Sequence, residues 1–204
     1  MTLTVDRRQA LAVVAVLGLL KPARGFAEMK FTPLDPPKQL PAFALKDQDG
    51  RPFGANQLRG HWTLLFMGYT SCPDICPYTL ANLEAVLEAM AKRAERQRMP
   101  RVVFLAVDPA RDQPALKPYI SNFGNRFTAI TGSLDAIQVL IDGVGGYVRR
   151  EAPDKEGNYT VVHTATVDVV DPSARVVATM LPPFEPAATA NRLITLIEET
   201  PSAG

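Results

Sequence analysis

Apolar and polar residues change rhythm along this chain, and each change predicts an element. Phe43 and Leu45 alternate with their neighbours, Asp47-Gln48-Asp49-Gly50 makes a turn, and Pro52-Phe53 resumes. That is the pattern of a short hairpin. Trp62 to Met67 (WTLLFM) is a continuous apolar run of strand length, suited to a strand buried on both faces. From Pro77 the period lengthens. Leu80, Leu83, Val86, Leu87 and Met90 recur at helical spacing, with polar residues opposite them up to Arg98. Arg101 to Val107 (RVVFLAV) predicts a second buried strand, and Gln113 to Asn122 a helix. Phe127 to Ile130 reads as a short strand and Leu134 to Val144 as an amphipathic helix. Tyr147–Glu151 and Tyr159–His163 bracket a polar turn. Thr164–Val170 and Val176–Leu181 form a hairpin around Asp171-Pro172-Ser173, and Pro186 to Glu199 closes the chain as a helix. The order of strands and helices predicts an α/β fold with a central mixed sheet flanked by helices and an N-terminal hairpin.

The segments outside this pattern set the boundaries. Arg7 and Arg8 precede an apolar run of eleven residues, Ala10 to Leu20, and small residues follow at Gly25 and Ala27. This predicts a bacterial-type signal peptide over 1–27. An uncleaved membrane anchor is the alternative, although the run is short of the roughly 20 residues a spanning helix needs. Residues 28–40 are rich in proline and aperiodic, the pattern of an extended linker. The domain is expected over 41–200, with a disordered tail at 201–204. Export to the periplasm would place any thiol where oxidation is favoured.

Composition narrows the chemistry. Of 204 residues, 47% are hydrophobic, enough for a core that needs no disulfide staple. The formal net charge is +1 and the basic residues are scattered, which argues against a nucleic-acid surface.

The only two cysteines, Cys72 and Cys76, lie together in GYTSCPDICPYTL, residues 68–80, each followed by a proline. They sit where a central strand ends and a helix begins, the usual place for a site in an open α/β sheet. Three uses compete: a structural disulfide, a redox pair and part of a metal site. A helix N-terminus favours the thiolate, and Cys76 is expected to benefit most. Three residues separate the thiols, against two in thioredoxin-type dithiols. That spacing can close a disulfide or hold two sulfurs around one soft ion. Two histidines are available as further ligands. His61 precedes the central strand at its far end and reads as a solvated loop residue; His163 lies at a strand junction and, taken alone, reads as a core histidine. Two thiolates and an imidazole would favour Cu(I) over hard cations, with Cu(II) possible given further oxygen or nitrogen donors. Met67 and Met90 read as core. Tyr69 and Tyr78 flank the loop and could shield it.

FMGYTSCPDICPYTL resembles the signature loop of the Sco/SenC family, copper-binding thioredoxin-fold proteins of cytochrome c oxidase assembly. FALKDQDGRPFGANQLRGHWTLLF resembles the family's opening hairpin and first central strand, FLAVDPARDQP its second strand and turn, and YTVVHTATVDVVDP its histidine segment. The resemblance covers roughly residues 41 to 200. It implies a thioredoxin-like fold and copper bound by Cys72, Cys76 and His163, with Asp108 near the site and Asp74 orienting ligands or meeting a partner. It also implies delivery of copper to the oxidase subunit that carries the copper A centre. Another periplasmic copper carrier or a thiol reductant would be a second partner. The alternative is a thiol-disulfide reductase in which Cys72 and Cys76 keep the oxidase's copper-ligand cysteines reduced. The chain departs from the family at Val162, where an acidic residue often precedes the histidine.

Overall fold

The computed structural model describes residues 31–94 and 98–200. The expected signal peptide, residues 28–30 of the expected linker and the 201–204 tail lie outside the described residues. The centre of the molecule is a three-strand parallel run: β4 (Thr63–Gly68), β5 (Arg101–Ala106) and β6 (Phe127–Thr131). Every residue of β4 is buried, as expected of an apolar run covered on both sides. Helices α2 (Ile75–Ala91) and α3 (Pro109–Ile120) make the two crossovers. Both crossovers step the same way across the sheet, so right-handed connections put the two helices on one face. Phe66 and Phe104 pack on that face at 6.1 Å, and Phe104 meets Tyr119 of α3 at 5.5 Å.

The rest of the sheet is antiparallel. The opening hairpin, β2 (Ala44–Asp47) and β3 (Pro52–Gly54), joins at β6. On the other side β9 (Val167–Val170) pairs with β4 and β10 (Arg175–Met180) with β9. With β1 (Phe31–Gln39) at one edge, the strand order is β1-β10-β9-β4-β5-β6-β2-β3, a mixed sheet as expected. Helix α1 (Ala55–Leu58) is a single turn. Helix α4 (Leu134–Val144) has Ser133 as an N-cap accepting from the Ala136 amide, and Gly145 in the left-handed region at its end. Helix α5 (Pro186–Glu199) packs against α2. A separate two-stranded ribbon, β7 (Val148–Arg150) and β8 (Val161–His163), connects α4 to β9. Among the described residues no helix is long and apolar enough to cross a membrane.

Three expectations are corrected. Residues 31–39 are not a linker: they form β1 (Phe31–Gln39), the edge strand paired with β10. Proline cannot donate to a ladder but is tolerated on an edge, and the register shifts between Pro33 and Lys38, around Pro36 and Pro37. Helix α2 ends at Ala91 instead of Arg98, because the apolar stripe that rewards helix formation stops at Met90. Helix α3 begins at Pro109, four residues before the expected start, with proline in the first turn where its missing N–H costs nothing.

Candidate metal centre

The cysteine loop starts where β4 ends and finishes where α2 begins. The Cys72 amide donates to the Tyr69 carbonyl at 3.1 Å, folding the loop back on the strand end. Cys76 is the second residue of α2 and is fully buried; Cys72 is 8% exposed. Both thiols are free. The Cys76 sulfur occupies space left by Gly68, where an added Cβ would lie 2.7 Å from Cys76 Sγ and 2.7 Å from Phe104 Cε2.

Burial pushes the Cys76 thiol well above its ordinary range, against a smaller opposing effect of the backbone hydrogen bond from Tyr69. A hydrogen bond with Cys72 acts in the same direction as burial. The expected lowering by the helix N-terminus is therefore overturned. The amide ends do favour thiolate, but a sulfur with no water contact loses more by desolvation than it gains from them.

Strand β8 brings in His163. Its Nε2 lies 3.9 Å from Cys76 Sγ, across 87 residues of sequence. Its Nδ1 lies 2.9 Å from the Thr164 carbonyl oxygen. A carbonyl can only accept, so Nδ1 carries a proton, and Nε2 is the nitrogen turned to the sulfur. The ring is held edge-on by Tyr69 at 5.9 Å and by Phe66 at 6.5 Å. Bonds of about 2.3 Å to sulfur and about 2.0 Å to nitrogen, at a trigonal angle, span roughly 3.8 Å. The Cys76–His163 separation thus suits a shared soft ion. Among the described residues no group of three or more His, Cys, Asp or Glu is gathered tightly enough to hold a metal ion. Cys76 is the residue that links the three expected donors: its sulfur faces His163 and is also influenced by the Cys72 thiol.

The remaining expected residues divide. Asp74 is the N-cap of α2, exposed, and makes no side-chain cap bond. Asp108 is buried, yet its carboxylate serves Arg111, Arg150 and Tyr159 rather than the thiols. Burial alone would raise its pKa; the bonds from Arg111, Tyr159 and Arg150 outweigh this and hold it below the usual carboxylate range. His61 stands before β4, and the cysteine loop follows the other end of that strand. Tyr69 is buried beside His163 while Tyr78 is half exposed, so only the first covers this cluster. Met67 and Met90 are core.

Sequence reading missed Thr70 and Asp112. Asp112, fully buried in α3, accepts from the Thr70 amide at 2.6 Å and from the Thr70 hydroxyl at 2.8 Å. Burial raises its carboxyl pKa despite these donors. An acid four residues after the helix cap was the available signal, but its loop partner is 42 positions away.

The SCO1/SenC family model matches residues 32–198. This chain belongs to the SCO1/SenC family. A SCO2-like protein of Rickettsia typhi is 35% identical over 142 residues, 66% of each chain. The chain spans slightly less than two thirds of the length of the curated relatives it matches. Among solved structures, Bradyrhizobium japonicum ScoI with copper bound is 34% identical, with a TM-score of 0.65, covering 77% of this chain and 98% of that one. BsSco, described as having a disulfide switch and as a member of the Sco family of cytochrome c oxidase assembly proteins, is 21% identical with a TM-score of 0.64. It covers 82% of this chain and 97% of its own, a likeness of fold. The mixed sheet with flanking helices is the thioredoxin-like architecture of these neighbours.

Proposed function

We propose that this protein is a copper metallochaperone that takes up copper through Cys72, Cys76 and His163. The ion is cargo, passed by ligand exchange to the oxidase subunit that carries the copper A centre. The observation that carries this reading is the approach of His163 Nε2 to Cys76 Sγ at 3.9 Å with Nδ1 tied to a carbonyl. A histidine that only packed in the core would need no ring nitrogen turned to a thiol. Two sulfurs and one imidazole are a soft set that favours Cu(I), and a three-donor site leaves room for an acceptor's ligand to enter. Uptake requires the Cys76 proton to leave and the Cys72 sulfur to turn toward the imidazole. Export to the periplasm, by the 1–27 leader or with that leader retained as an anchor, fits thiols kept useful by metal or reductant. A second copper carrier or a thiol reductant in that compartment would load or reset the site.

A second reading has its own observation. The Cys72 and Cys76 thiols are near enough to influence one another, as the partners of a disulfide must be. In that reading Cys72, the more exposed of the two, attacks a target disulfide, and Cys76 resolves the mixed disulfide. The protein would then keep the oxidase's copper-ligand cysteines reduced.

Anaerobic titration of the reduced domain with Cu(I) against a competing chelator separates the two. One tight equivalent is expected in the wild type, weakened at least tenfold in His163→Ala, with disulfide reduction unchanged. Absence of tight binding in the wild type would overturn the chaperone reading in favour of the reductase.

A further inference from the structure

The cysteine loop and the histidine ribbon are far apart in sequence, but both hang from the first turn of α3. On one side, Asp112 Oδ1 takes both donors of Thr70, two residues before Cys72. The other oxygen of the same carboxylate accepts from the Asp108 amide at 2.8 Å. On the far side of that turn, the Asp108 carboxylate accepts from the Tyr159 hydroxyl at 2.9 Å, from Arg150 Nε at 3.3 Å and from Arg111 Nε. Arg150 also donates to the Val107 carbonyl. Arg150 is the last residue of β7, in register with Val161, and Val148 is in register with His163. The guanidinium of Arg111 lies over the Tyr159 ring at 3.8 Å and donates to its carbonyl at 3.0 Å.

We infer that Asp112 is a positioning residue, which with Asp108 makes the α3 turn a common frame fixing the cysteine loop relative to His163. The inference rests on reading Cys72, Cys76 and His163 as copper donors. Its physical ground is that Asp112 is fully buried and all its bonds run to that loop and that turn. A buried carboxyl group with hydrogen bonds on both oxygens resists rotation, so moving either segment breaks bonds that water cannot replace. Asp112→Asn puts an N–H donor against either the Thr70 donors or the Asp108 amide. Thr70→Val keeps Asp112 and removes one bond.

The test has two readouts on the reduced protein. The first is Cu(I) affinity, by chelator competition, for Asp112→Asn and Thr70→Val alone and each combined with His163→Ala. Removing a partner that orients a ligand weakens binding by roughly tenfold or more. In the frame that loss largely disappears once His163 is gone, because the loop no longer needs to meet it. Losses that multiply in the double variants would overturn the frame. The second readout is amide hydrogen exchange without metal. Both variants are expected to speed exchange at 161–164, a segment neither substitution touches. Unchanged exchange there would overturn the frame whatever copper does. A wild type that binds Cu(I) no better than His163→Ala would instead sink the copper-donor reading and leave the exchange result to judge the frame.

Discussion

At the residue scale the site is shaped by what is absent as much as by what is present. Gly68 ends β4 without a side chain, and the Cys76 sulfur fills that space against Phe104. Neither neighbour can yield easily: Sγ is on a short side chain in a helix turn, and Phe104 is fully buried. Gly68→Ala is therefore expected to cost about 1–3 kcal/mol, the range for overpacking a dense core. It should also displace Cys76 from His163. Urea unfolding and Cu(I) competition on the same variant check this. A variant as stable and as tight as the wild type would show that the loop relaxes freely. The residue scale also explains the reversal at Cys76. Its position in the helix favours thiolate, its burial opposes it, and burial dominates.

At the element scale the decisive pieces are short. The β7–β8 ribbon has three residues in each strand and stands apart from the main sheet. It cannot be stable alone. Its bonds to the α3 turn give it a fixed place. The edge strand β1 is the other such piece. Its prolines at 33, 36 and 37 discourage a further strand from adding. It covers β10, whose Val176, Val177, Ala178 and Met180 are buried. A domain starting at residue 41, compared with one starting at 28, is expected to lose about 2 kcal/mol or more. At this chain length that lowers Tm by roughly 4–8 °C. The bare β10 edge should also promote association. Melting and size-exclusion chromatography on the two forms test it. Equal Tm and equal monodispersity would mean that β1 contributes nothing to the domain.

At the scale of the whole molecule, one buried acid ties stability to pH. Asp168 lies in β9, in the middle of the sheet, opposite Leu65 of β4 and Thr179 of β10. It is 3% exposed, and burial pushes its carboxyl up to about 7, with Lys38 of β1 opposing weakly. An unfolded aspartate titrates near pH 4. Between about pH 4 and 7 the folded protein therefore holds a proton that the unfolded chain has released. The contribution to stability is complete below about pH 4, declines as pH rises to about 7, and is flat above. Three units of displacement correspond to a few kcal/mol. Asp168→Asn should flatten the fall in Tm from pH 5 to pH 8 relative to the wild type. A wild-type slope that survives the substitution would assign it to other groups.

The sequence by itself determined the order of elements from β2 onward, apart from the single turn α1, together with the buried β4 and β5 and helices α4 and α5. Those depend on local periodicity, which a chain carries wherever it folds. It also placed both thiols at a strand end, because a loop between an apolar run and a helix is a local signal. Through resemblance it pointed to His163, which no local pattern distinguishes from a core histidine. Only the tertiary structure decided that Cys76 loses its solvent, that His163 presents Nε2 to it, and that residues 31–39 pair with β10. Only the tertiary structure joined Asp112 to Thr70 and Asp108 to Arg150. Desolvation depends on what packs over a group, and a hydrogen bond across 42 positions depends on register and crossover. Neither quantity exists until the sheet has assembled.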